Sequence, residues 1–167
     1  PGNFSIGGQI DGLPLLPFPE DGLVYDFPSV ANGSISTVVT GLFEEAEADE
    51  GTFHRITEMR DTQTDLRLED MDEDVVERSL ALGDEIGAVL LDWISKDNYG
   101  PTRKMEYVMP FGEDYMWEVT EGGAPALEPF WSQIRPFGLG YSEQCSEPIR
   151  LEFSDDPDST FYAHLKI

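Results

Sequence analysis

The sequence is poor in the residue types that most often hold metals or act as nucleophiles. Cys145 is the only cysteine among 167 residues, which excludes an internal disulfide and a zinc–thiolate site. We interpret Cys145 as a loop or packing residue. A single cysteine does not indicate in which cellular compartment the protein resides. There are two histidines, His54 and His164, and His54 is predicted to be an exposed or partly packed helical residue.

Basic residues are also scarce. Ten lysines and arginines stand against 34 aspartates and glutamates, which gives a formal net charge of -24. Because such a surface repels polyanions, we expect neither nucleic acid nor an anionic membrane as a partner. Carboxylates solvated in a salty environment explain this charge, and a cation-binding surface is the alternative explanation.

Long apolar runs are absent, and none approaches the roughly 20 residues that span a bilayer. The composition, 40% hydrophobic and 11% aromatic, is nevertheless typical of a globular domain with a core. The chain begins at Pro1 and stops at Ile167, inside a helix predicted to start at Asp158 or Ser159. This pattern predicts a fragment, a processed product or a cropped chain.

Apolar periodicity predicts an all-α fold, a portion of a helical bundle within a larger helical domain. An extended lead-in rich in proline and glycine occupies 1–28, and a three-helix scaffold follows at 29–97. The three helices are predicted over 29–46, 52–66 and 72–96, with Ser29 as the first cap.

Small residues recur four apart in the third predicted helix, at Ser79, Gly83 and Gly87. This spacing allows a second backbone to approach closely, so it predicts tight helix packing. A ligand slot is the alternative interpretation.

An acidic run before the third helix begins like a calcium-binding loop, at Asp70, Asp72 and Asp74. Val75 stands where that loop needs glycine, however, and Ala81 where it needs glutamate. We therefore predict no metal site here, and we expect these carboxylates to lie at the positive end of the helix.

Residues 98–157 show almost no helical period, and they are too aromatic for disorder. We predict an ordered belt of loops laid over the helices, with one short strand near Glu106–Met109. A further helix is predicted to start within 158–167.

The stretch Ala126–Leu139 organises this belt. Its two prolines exclude helix, and its aromatic side chains carry large apolar areas, which predicts burial. Trp131, Arg135 and Phe137 are the candidate site-wall or packing residues.

Five segments in order along the chain resemble motifs of one known family. They are Tyr25–Asn32 (Tyr-Asp-Phe-Pro-Ser-Val-Ala-Asn), Ser79–Asp97, Tyr115–Thr120 with its Trp117, the Pro-Phe-Trp and Arg-Pro-Phe sequences within Ala126–Leu139, and Asp156–Tyr162. The family comprises the bacterial vanadium-dependent haloperoxidase-like proteins, in the type 2 phosphatidic-acid phosphatase superfamily.

The resemblance implies oxidation of halide by peroxide, or hydrolysis of a phosphate monoester, in the intact protein. It also implies vanadate as cofactor, bound by lysine, arginine, a Ser-Gly-His turn and a final histidine. This chain has no Ser-Gly-His, and neither histidine follows an arginine at the family's spacing. Arg135-Pro136 matches an Arg-Pro pair of the family, but Glu128 stands where the preceding lysine belongs.

We therefore predict no catalytic, cofactor-binding or metal-binding residue in this chain. The catalytic half is expected in the remainder of the same protein or in a second chain, and the oligomeric state is left open. One alternative is a stand-alone acidic helical binding module that depends on a cation. Another is a degenerate homologue that kept the scaffold and lost catalysis.

Overall fold

The computed structural model describes residues 5–108, 119, 122–123, 126–145 and 151–164. The regular elements among these residues are all helical, and none of these residues forms a strand, which confirms the all-α prediction. The elements are α1 (Phe27–Glu45), α2 (Glu50–Leu68), α3 (Glu73–Ile94), α4 (Tyr99–Thr102) and α5 (Thr160–His164), with 3-10 turns at Trp131–Gln133 and Ser142–Cys145.

The first helix starts earlier than predicted because Asp26, rather than Ser29, caps it. The Asp26 carboxylate accepts a bond from the backbone N–H of Ser29 at 3.2 Å, and from the Ser29 hydroxyl at 2.7 Å. Ser29 therefore lies inside the first turn, and its predicted role as the cap was wrong. Asp49 caps α2 in the same way through the N–H of Thr52, at 3.1 Å.

Helices α1 and α3 pack backbone to backbone where their glycines face each other. A Cβ atom added to Gly33 would lie 2.6 Å from the carbonyl oxygen of Leu80. One added to Gly83 would overlap the carbonyl oxygen of Val30, and one on Gly87 would lie 2.7 Å from Cβ of Thr37. The small-residue stripe of α3 therefore serves helix packing and is not a ligand slot.

Helix α2 is attached to this pair by polar contacts more than by apolar burial. Ile56 is its one buried residue. The Asn32 amide donates to the carbonyl of Arg60 at 3.0 Å and to the hydroxyl of Thr64 at 3.2 Å. The buried apolar residues of the described chain are accordingly few: Leu13, Val30, Ile56, Val75, Val76, Leu82 and Trp93.

The belt differs from the prediction in two respects. Residues 106–108 form no strand, and Met109 lies outside the described residues. Trp131 and Phe137 are 68% and 67% exposed, so the predicted burial was wrong for these two residues, whereas Phe130 is half-buried. The physical reason is that backbone bonds and Arg135 anchor the belt to α3. Phe137 meets Trp93 with one part of its ring and stays exposed elsewhere, and Trp131 makes no ring contact with another described residue.

The remaining predictions concern the end of the chain and its lack of apolar runs. Ser159 caps α5, since its hydroxyl accepts from the N–H of Tyr162 at 3.0 Å. No helix within the described ranges has both the length and the apolarity to cross a bilayer.

Candidate functional site

Trp93 is the centre of the region where the belt meets the C-terminal end of α3. Its indole N–H donates to the carbonyl of Asp11, in the lead-in, at 3.0 Å. The ring of Phe137 meets the indole edge to face, with centroids 5.8 Å apart. This buried tryptophan therefore joins three separate parts of the chain: the lead-in, α3 and the belt.

Arg135 lies over the face of the same tryptophan. Its guanidinium carbon is 4.2 Å from the Trp93 ring centroid, and Nη2 donates to the Trp93 carbonyl at 2.6 Å. The backbone N–H of Arg135 also donates to the carbonyl of Asp97 at 2.8 Å. A cation at the last carbonyls of a helix complements the negative end of its dipole. Arg135 is thus a packing residue that secures the belt.

The three candidate wall residues have different surroundings. Arg135 and Phe137 come together on Trp93, whereas no ring contact joins Trp131 to another described residue. Trp131 occupies the first position of a 3-10 turn. Its exposed ring, next to the anchored Arg135, is available to a surface outside this chain.

Asp26 is the centre of a buried polar network that connects all three long helices. Arg67, near the end of α2, donates two bonds of 2.9 Å to its carboxylate. The backbone N–H of Asp26 donates to the hydroxyl of Ser79 in α3 at 2.9 Å. The bonds from Arg67, assisted by Ser29, hold the pKa of Asp26 below its ordinary value against the opposing effect of burial.

A second network joins the middle of the three helices at Asp84. Arg60 of α2 donates two bonds of 2.8 Å to this carboxylate, and the Thr37 hydroxyl of α1 donates a third at 2.9 Å. Partial burial raises the pKa of Asp84, but the bonds from Arg60 and Thr37 outweigh that effect and lower it overall.

Sequence reasoning missed both networks. In each network an arginine of α2 reaches a carboxylate that is distant in the sequence, Arg67 that of Asp26 and Arg60 that of Asp84. A faint signal was present in α2 itself, because a helix with little apolar periodicity must be held by something else.

The cations of the described chain do not form an anion site. Four ion pairs use Arg60, Arg67, Arg78 and Lys96, and Arg135 is held on Trp93. Arg103 and Lys104 share a cleft of about 380 Å³ with Glu45 and Glu47, whose charges oppose an anion. Vanadate or phosphate needs several converging cationic donors, so the described residues do not fit such a group.

Residues with nucleophilic or metal-binding chemistry are likewise dispersed. His54 and His164 are exposed, and the Nδ1 atom of His164 lies 2.9 Å from the carbonyl oxygen of Thr160. Cys145 is an exposed free thiol. In the part of the chain that the structure describes, no three His, Cys, Asp or Glu side chains converge on a metal position.

A second cleft, of about 270 Å³, lies at the C-terminal ends of α1 and α3, where α4 begins. Leu42, Ile94 and Tyr99 give it an apolar lining, and Glu45 and Arg103 add charges of both signs. Such a lining suits the binding of a side chain better than it suits a reaction.

No protein-family model matches the chain, and no curated protein matches it. The structure is similar to a solved structure described as the crystal structure of the first bacterial vanadium-dependent iodoperoxidase. The TM-score is 0.69 and the sequence identity 24%, over 97% of this chain and 37% of that chain. At this identity the likeness shows a haloperoxidase-like fold, and this chain spans little more than a third of the longer protein.

Proposed function

We propose that these 167 residues are the scaffold portion of a protein like the vanadium haloperoxidases or the related acid phosphatases. The intact protein would oxidise halide with peroxide or hydrolyse a phosphate monoester. Its catalytic residues, and the residues that hold vanadate or phosphate, would then lie in the remainder of the same protein or in a second chain.

The unequal coverage of the structural match is the observation that carries this proposal. Nearly all of this chain has a counterpart in the iodoperoxidase structure, but that chain is much longer. The missing Ser-Gly-His motif agrees with it, and so does the engagement of Arg60, Arg67 and Arg135 in packing.

The proposal also gives the belt a role. Arg135 anchors the stretch Ala126–Leu139 to the end of α3, while the rings of Trp131 and Phe137 are exposed. We assign these two rings to the wall of the approach to the active site of the intact protein.

The first test is the intact mass of the protein produced from its complete reading frame. A mass well above 18.7 kDa, or a second chain that co-purifies, is expected. The same sample is then assayed with vanadate, peroxide and iodide or bromide, and separately with p-nitrophenyl phosphate. Turnover by the complete protein in one of these assays, with no turnover by residues 1–167 alone, supports the proposal. The assay that shows turnover selects between halide oxidation and phosphate hydrolysis.

Two other results would contradict it. A complete protein that binds no vanadate and turns over neither substrate is a degenerate homologue. A protein of 18.7 kDa that unfolds in a single transition, stabilised by millimolar calcium, is instead the cation-dependent binding module.

A further inference from the structure

Helix α1 has one side that is largely exposed in the described part of the chain. Phe27, Ile35 and Leu42 are 59%, 57% and 41% exposed, Ala31 is exposed, and Val38 is half-buried. At about 100° per residue, these five positions fall within an arc of about 80°. We call them the α1 outer stripe. Gly33 and Thr37, which face α3, lie on the other side of the helix.

The stripe lacks the charges that usually cover a solvated helix. From Phe27 to Phe43 there is no charged residue, in a chain where 26% of residues are charged. Helix α2 differs, since charged residues line its exposed positions: Glu50, Arg55, Glu58, Asp61 and Asp65. A helix that is apolar or uncharged on all sides is typical of the interior of a bundle. By this criterion α1 is an inner helix and α2 an outer one.

The stripe also leads into a cleft. Its last residue, Leu42, lines the cleft of about 270 Å³ at the ends of α1 and α3, together with Ile94 and Tyr99. Glu45, one turn further along the same side, lines this cleft as well. A helix lying along the stripe can therefore place one large apolar side chain in the cleft, with a lysine or arginine beside Glu45.

We propose that the α1 outer stripe is the docking face for an amphipathic helix from the catalytic part of the same, longer polypeptide. This inference rests on the proposed function. The match covers 37% of the similar iodoperoxidase chain. If the intact protein is of similar length, the part outside these 167 residues can supply such a helix. A second copy of this chain is a poorer occupant, because it would bring together two chains that each have a net charge of -24. The same charge opposes an anionic lipid surface.

Thiol labelling of the protein made from the complete reading frame tests this inference. In a Cys145→Ser background, Ile35→Cys places a thiol in the middle of the stripe. Met59→Cys is the matched control, because Met59 is 52% exposed and lies in the middle of α2. Each rate of reaction with a polyethylene-glycol maleimide is divided by the rate of the same variant in urea. We expect the thiol at position 35 to react about ten-fold more slowly, or slower still, than the thiol at position 59.

Equal normalised rates of maleimide reaction at positions 35 and 59 would overturn the inference. This holds whether or not the reading frame continues beyond Ile167. Protection that disappears on dilution, together with a dimer in sedimentation, would identify a second copy as the occupant and overturn it too. Protection that appears only with added phosphatidylcholine vesicles would also overturn the inference.

The vanadate and phosphatase assays are independent of the labelling result. A protected but inactive protein keeps the docking face and removes the proposed function, and an active protein with a reactive thiol at position 35 does the reverse.

Discussion

Arg67 reaches Asp26 across 41 residues of sequence and binds both of its carboxylate oxygens at 2.9 Å. The contact joins the end of α2 to the residue that begins α1, and Asp26 is only 4% exposed. One carboxylate therefore acts both as a helix cap and as an interhelical anchor. Because of this double role, we expect the fold to be sensitive to substitution of Asp26.

Replacing Asp26 with alanine should destabilise the chain strongly. The change removes the cap of α1 and leaves Arg67 and Ser29 without their carboxylate, and we expect a loss of about 3 kcal/mol in the free energy of unfolding. Urea unfolding followed by circular dichroism measures it. Asp49→Ala is the control, because Asp49 also caps a helix but has no interhelical partner in the described chain. Equal losses for the two variants would show that the contact with Arg67 contributes nothing.

The Asp26 network should also make stability depend on pH in a defined direction. Because its pKa in the folded state lies below the ordinary value of 3.8, its contribution is complete above that value and is lost as the pH falls through the folded pKa. Repulsion among the other carboxylates also changes with pH, so the useful quantity is the difference between wild type and Asp26→Asn. We expect this difference to be constant from pH 7 to about pH 5 and to shrink below about pH 4. A difference that grows on acidification would contradict the direction of the pKa shift.

Gly83→Ala tests the backbone contact between α1 and α3. Helix propensity alone would stabilise α3 by about 1 kcal/mol, since alanine is the better helix former. The new Cβ would overlap the carbonyl oxygen of Val30, however, and we expect a net loss of about 2 kcal/mol from overpacking. The sign of the change in melting temperature separates the two effects. Ala81→Gly, at an exposed position of α3, is the control in which propensity alone should act.

Arg135→Lys should loosen the belt and leave the helices intact. Lysine keeps the charge but loses the planar group that lies on Trp93 and donates to its carbonyl. We expect hydrogen exchange within 126–145 to become about ten-fold faster, while exchange in α3 stays unchanged. Arg103→Lys is the control, since the guanidinium of this exposed residue lies over Tyr99, 5.3 Å from its ring centroid. Unchanged exchange in the belt would show that Arg135 does not anchor it.

The sequence predicted the helices well because their signals are local. Apolar periodicity located α1 and α3 and, more weakly, α2, and the spacing of Ser79, Gly83 and Gly87 predicted the close approach of a second helix, which is α1. What it missed depends on residues that are far apart in the chain. No local pattern pairs Asp26 with Arg67 or Asp84 with Arg60, because only the packed helices bring them together.

The error about the belt has a related cause. The aromatic content of Ala126–Leu139 measures how much apolar area is available, but it does not say which surface covers that area. In the described chain Arg135 and Phe137 meet Trp93, whereas Trp131 is exposed and makes no ring contact with another described residue. Under the proposed function, the residues that cover Trp131 belong to the part of the fold that lies outside this sequence.

Trp131→Ala tests the assignment of that ring to the wall of the active-site approach. Because the ring is 68% exposed, we expect the melting temperature of residues 1–167 to change by no more than about 1 °C. In the complete protein, the loss of a wall residue should lower kcat/KM for the accepted substrate by about five-fold. Leu15→Ala, at a 79% exposed position in the lead-in, is the control that should leave both quantities unchanged. If Trp131→Ala leaves both the stability and the activity of the complete protein unchanged, Trp131 is not part of that wall.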